Sequence, residues 1–157
     1  MRIIPAEKQL VQALPRMAKA ANDPQLAKAF NTHLRQTERQ VARLERIFKD
    51  LGESPRGKKC VGMEGLIEEG KEIMTNGEDP HALEAGLIGA AQKVEHYEIA
   101  AYGTAAAHAR QLGFNSVAQL LDQQLPQPVQ HRRPGHEPVT AHAPASRRRL
   151  PDHRSAG

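Results

Sequence analysis

Apolar residues recur at three- and four-residue spacing along most of the chain. Ile3, Leu10, Leu14, Met17 and Ala21 form the first such row, which predicts a helix from about Pro5 to Ala21. Pro5 suits a first helical turn, whereas Pro15 has no N–H to give and is expected to bend the helix. Asn22-Asp23-Pro24 reads as a stop and a restart, with Asp23 as N-cap and Pro24 at the first helical position. Leu26, Phe30, Leu34, Val41, Leu44 and Phe48 carry a second helix to about Leu51, and Gly52 ends it. So short a connection makes the two helices antiparallel neighbours.

Glu53-Ser54-Pro55-Arg56-Gly57 is a loop. Met63, Leu66, Ile67, Ile73 and Met74 then mark a shorter helix, interrupted by Gly65 and Gly70 and closed by Gly77. Asp79-Pro80 repeats the cap-plus-proline start, and a long helix runs to Leu112 with Gly113 as its stop. Its inner row is Leu83, Leu87, Ala91, Val94 and Ala105. Asn115 or Ser116 is placed to cap a last helix carrying Val117, Leu120, Leu121 and Leu125. The expected architecture is all-α: a four-helix bundle with a short crossover helix, spanning 1–125, whose last bundle helix is cut off. No repeat of fixed period is present.

The apolar rhythm stops at Leu125. Residues 126–157 hold six of the eleven prolines and four of the eight histidines, which predicts a disordered Arg/Pro/His-rich tail. The tail also localises the charge. The chain carries +4 overall, yet residues 1–125 hold 16 basic and 16 acidic side chains and cancel. A basic tail alone is weak ground for a nucleic-acid partner, so none is expected. No apolar run reaches the roughly 18 residues that span a membrane, and no membrane partner is expected. The lone Cys60 cannot form an internal disulfide, which fits a cytoplasmic location. With no Trp and few aromatics, the core must be built from Leu, Ile, Val, Met and Ala.

Against that core, four acids stand out. Glu7 lies four residues after Ile3 and three before Leu10; Glu38 lies four after Leu34 and three before Val41. Glu95 and Glu98 relate in the same way to Ala91 and Val94. Helical geometry therefore sets Glu7, Glu38, Glu95 and Glu98 on the apolar rows. Folding back from the turn near residue 22 brings Glu7 level with roughly residue 38. Buried carboxylates are costly unless paired or metal-bound, and converging ones call for a cation. Hard oxygen ligands suit iron or manganese. The bland alternative is salt bridging to Lys8, Arg35 and Arg39. His33 stays open between ligand, supporting donor and surface residue; His96 is expected exposed or supporting a ligand. Tyr102 serves equally as a hydrogen-bond partner or as core filling. Glu64, Glu68, Glu69 and Glu72 are read as the wet face of the crossover helix.

Several strings resemble one family. They are Ala6-Glu7-Lys8-Gln9-Leu10, Ala13-Leu14-Pro15-Arg16-Met17-Ala18, Leu44-Glu45-Arg46-Ile47-Phe48, the run Lys59 to Glu69, and above all the run Ala91 to Thr104. On these residues, about 6–125 of the chain, it is identified as a member of the YciE/YciF family of bacterial ferritin-like proteins, a domain of unknown function. The resemblance implies a ferritin-like bundle, a homodimer, an association with stress responses, and a site for two iron or manganese ions. It implies ferroxidase-like activity at most. Glu7, Glu95 and Glu98 match the family's motifs. Three features depart: Arg35 and Gln36 stand where an acid is expected, Gln40 where a His is expected, and the stretch from Pro126 replaces an acidic run. The tail's composition resembles out-of-frame translation, which the nucleotide sequence around codon 125 would test.

Overall fold

The computed structural model describes residues 3–76 and 79–124 of the 157. Those residues form five helices and no strand: α1 (Ile3–Ala20), α2 (Pro24–Asp50), α3 (Val61–Asn76), α4 (Pro80–Gln111) and α5 (Asn115–Asp122). α1 packs along α2, α4 along α5, and the short α3 lies against both α1 and α4. Among the described residues no helix is long and apolar enough to cross a membrane. Residues 126–157, read as a disordered tail, lie outside the described residues, as do Leu125 and the predicted stop at Gly77.

The punctuation read from the sequence sets these boundaries. Asp23 accepts a hydrogen bond from the Gln25 amide at 2.8 Å, and Asp79 accepts from the Ala82 amide at 2.9 Å. Each satisfies a donor that the first turn leaves without a partner, and each is followed by a proline with no such donor to satisfy. Gly52 (φ 69°) and Gly113 (φ 80°) adopt the left-handed conformation that ends α2 and α4. The residues after them close back on the helices, Glu53 N–H to Phe48 O and Phe114 N–H to Ala109 O, both at 2.8 Å. The Glu84 carboxylate accepts from the Asn22 and Asp23 amides at 2.5 and 3.0 Å and so ties the α1–α2 turn to α4.

α1 continues through Pro15 to Ala20 as one helix, with the proline withholding a bond from the Val11 carbonyl. One local expectation needs correction. Neither Asn115 nor Ser116 caps α5. Its N-cap position is Phe114, which makes no side-chain cap bond. The Gly113 turn delivers the chain into α5 at once, so Asn115 is already inside the helix.

Two apolar clusters fill the interior. One gathers Leu10, Leu14 and Met17 of α1 with Leu26 and Phe30 of α2, Met63 of α3, and Leu87 and Val94 of α4. The other gathers Ile3, Ile4, Leu44, Tyr102, Ala105, Ala106 and Ala109 with Ala118 and Leu121 of α5.

Candidate functional site

The long helices change from one cluster to the other across a layer of polar side chains. On α1, Glu7 falls between Ile4 and Leu10. On α4, Glu95 and Glu98 fall between Val94 and Tyr102. On α2, His33, Thr37 and Gln40 fall between Phe30 and Leu44. Glu7 and Glu98 are each 1% exposed, Glu95 6% and Thr37 0%. Methyl groups above and below close this layer to water.

Glu7 and Glu98 act on each other across the layer. Burial, with repulsion by the neighbouring Glu98 added and the nearby Tyr102 hydroxyl offsetting part of the rise, pushes the Glu7 carboxyl up to about 9. Glu7 is thus held protonated at neutral pH, because a second negative charge beside Glu98 is poorly solvated in that buried space. Tyr102 is fully buried and its hydroxyl is pushed up, first by burial and then by Glu7. His33, 14% exposed, brings its Nε2 to 3.4 Å from Glu98 Oε2. Glu7 Oε2, both Glu98 carboxylate oxygens and the Tyr102 hydroxyl are buried without a hydrogen-bond partner. Such atoms are rare in folded proteins, and each costs about 1–3 kcal/mol if nothing meets it.

The cations available for salt bridging go elsewhere. Lys8 pairs with Glu45 at 2.6 Å. Arg35 reaches Thr32 on its own helix, and Arg39 donates to the Arg35 carbonyl. Of the four acids read as facing inward, three do so. Glu38 does not: it is exposed, and Thr37 holds the inner position. The buried row of α2 runs Leu26, Phe30, Thr37, Leu44, Ile47, with His33 and Gln40 at the missing three-and-four-residue steps. This repeat of about 3.5 residues is the seam of packed helices. Leu34 and Val41, which pointed to Glu38, lie on its flank and are only half-buried. His96 is exposed, with Nδ1 2.8 Å from the Gln92 carbonyl.

Sequence reasoning noted Gln40 only as a departure from the family's His, and passed over Gln124. Gln40 donates through Nε2 to the Gln124 carbonyl at 2.9 Å, which joins α2 to the residues just after α5. Gln40 Oε1 and both amide atoms of Gln124 are buried without a partner. The 3.5-residue repeat was the available signal for Gln40; Gln124 carried none. Among the described residues, no group of three or more His, Cys, Asp or Glu is arranged to hold a metal ion. What the layer gathers instead is a mixed set of carboxylate, carboxamide and phenol oxygens.

A second polar constellation lies beside α3. The Gln9 side-chain amide brackets Cys60, donating to its carbonyl at 3.2 Å and accepting from its N–H at 2.9 Å. Cys60 Sγ is buried, 2.8 Å from the Tyr97 hydroxyl. This pins the loop before α3 to α1.

An all-helical chain with acids sealed between two apolar clusters defines the class, and comparison with known proteins gives the family. The chain belongs to the family described as a domain of unknown function, DUF892, whose model matches residues 3–145. It is 46% identical over 121 residues to protein YciF of Escherichia coli K12, covering 76% of this chain and 73% of that protein. The crystal structure of the E. coli stress protein YciF superposes with a TM-score of 0.75 at 45% identity, covering 78% of this chain and 77% of that one. YcfI from Rhodopseudomonas palustris gives 0.76 at 40% identity, covering 78% of each.

Proposed function

We propose that this chain is a ferritin-like protein of the YciE/YciF type that binds iron or manganese between α1, α2 and α4 and serves in a stress response. One observation carries the reading: Glu7 and Glu98 share a buried layer in which three of their four oxygens accept no hydrogen bond, with only the His33 imidazole near Glu98. A cation would satisfy those oxygens and remove their mutual repulsion. Glu7 and Glu98 would bind it. His33, against Glu98, would add a nitrogen, and the buried Glu95 lies one turn before Glu98. The Tyr102 hydroxyl would hold Glu7 in place, and the apolar clusters would keep water out. When bound, iron or manganese would supply one-electron chemistry toward oxygen or peroxide, which is the ferroxidase-like activity at issue.

The stress role is taken over from E. coli YciF, described in its structure as a stress protein. Assembly as a homodimer is supported by Leu112, Phe114 and Leu120, large apolar side chains left exposed around the α4–α5 turn; light scattering on the purified chain tests it. A cytoplasmic location is supported by the single unpaired cysteine.

Metal analysis of the protein purified from cells, beside Glu98→Gln and Glu7→Gln, tests the site. Near-stoichiometric iron or manganese, lost in both variants, is expected. Metal at trace level in the unaltered chain after exposure to Fe(II) and Mn(II) would leave a helical protein that acts through a partner surface.

A further inference from the structure

The glutamines bear on what kind of cation site this is. Gln124 is 2% exposed, and neither atom of its amide has a partner. Gln40 spends its N–H on the Gln124 carbonyl and leaves its own oxygen buried and alone. An amide group stranded inside a helical core is destabilising, and α2 could seat a leucine at Gln40 without that cost. Both residues also lie where the acids lie. Gln40 follows Thr37 on the buried seam of α2, and Ile3 and Leu44 share one cluster, which sets Gln40 opposite Glu7 on the antiparallel α1. Gln124 stands eleven residues beyond the Gly113 turn, level with Tyr102 eleven residues before it.

We infer that Gln40 and Gln124 are metal ligands, completing with Glu7 and Glu98 a site for a single divalent cation. The inference rests on the metal-binding reading above and changes its terms. A site for two ions needs enough anionic ligands to balance four or more positive charges. The layer holds three buried carboxylates, Glu7, Glu95 and Glu98, while Glu38, the fourth acid expected, is exposed. Three negative charges fall short of two divalent ions and suffice for one. The donors agree: the partnerless oxygens are Glu7 Oε2, Glu98 Oε1 and Oε2, Gln40 Oε1, Gln124 Oε1 and the Tyr102 hydroxyl. With the His33 nitrogen beside Glu98, an oxygen-rich set of that kind suits manganese better than softer metals.

The test uses the full chain, stripped with EDTA and titrated with MnCl2, with free Mn(II) read by electron paramagnetic resonance. One Mn(II) per chain is expected. Gln40→Leu and Gln124→Leu should each weaken binding by roughly ten- to a hundredfold. The metal-free melting temperature should rise in Gln124→Leu, which removes a stranded amide, and hold in Gln40→Leu, which removes a buried lone oxygen along with the bond to the Gln124 carbonyl. Gln40→Glu keeps an oxygen donor and should retain binding. Glutamines that only support the fold would give the reverse: lower melting temperatures and unchanged affinity. Two Mn(II) per chain, or unchanged affinity in both leucine variants, would overturn the one-ion site while leaving metal binding intact. Absence of any Mn(II) binding would overturn both readings. If a leucine variant fails to fold, the stoichiometry of the unaltered chain still decides.

Discussion

His33 Nε2 lies 3.4 Å from Glu98 Oε2 and joins α2 to α4 at the edge of the polar layer. The imidazole is partly exposed while the carboxylate is sealed, so His33 stands between Glu98 and solvent. Replacing it should disturb the site more than the fold. In His33→Gln we expect manganese affinity to fall roughly tenfold, with metal-free stability changed by less than about 1 kcal/mol. Titration and urea unfolding on the same preparation measure both, and an unaltered affinity would remove His33 from the site.

Glu7 makes the metal-free chain sensitive to alkali. Its carboxyl titrates at about 9 in the folded state against 4.5 otherwise, so between those values the folded chain holds a proton that the unfolded chain has released. Stability is therefore complete below about pH 4.5 and is lost as pH rises toward 9, by up to about 1.4 kcal/mol per unit. Urea unfolding in EDTA at pH 5.5, 7 and 8.5 should show that decline. Glu7→Gln should flatten it, and an equal slope in both proteins would assign the loss to other groups.

Glu38 offers a sharp contrast with its neighbour Thr37. Glu38→Ala should change stability by less than about 0.5 kcal/mol and leave metal content untouched. Thr37→Glu, by contrast, would force a third carboxylate into the layer and should cost several kcal/mol without metal. A loss of bound metal in Glu38→Ala would restore the inward reading of that residue.

Two glycines three residues apart on α4 should respond in opposite ways. A Cβ on Gly89 would meet nothing within 4 Å, whereas one on Gly86 would meet Ile73 Cγ2 at 2.7 Å. Gly89→Ala should gain about 0.5–1 kcal/mol from helix propensity. Gly86→Ala should lose that gain and more, because the β-branched Ile73 has little freedom to move aside. Thermal melts of the pair test this, and a stabilised Gly86→Ala would show that α3 yields easily.

Much of this was legible in the sequence, for reasons that differ by residue. Asp23-Pro24, Asp79-Pro80, Gly52 and Gly113 fixed helix ends because capping is local chemistry. Glu7, Glu95 and Glu98 were legible because their helices carry apolar residues on both sides of them at helical spacing. Glu38 misled because Leu34 and Val41 look like core in a pattern of 3.6 residues, while α2 keeps the tighter repeat of Phe30, His33, Thr37, Gln40 and Leu44. Three of those seam positions are polar, so a search for apolar rows passes them by. Gln124 could not be found at all: its burial depends on which residues α5 brings beside α2, and no local pattern records that.

The layer that holds Glu7, Thr37, Gln40 and Glu98 also works as an alignment key. Helices lined only with Leu, Ile and Ala can slide by a turn and still fit one another tolerably. Here a slip of α1 by one heptad would seat the Glu7 carboxyl among the methyl groups of one cluster and leave the opposite layer facing leucine. The same side chains that would hold a metal thus admit a single vertical setting of the helices, whether or not the metal is there.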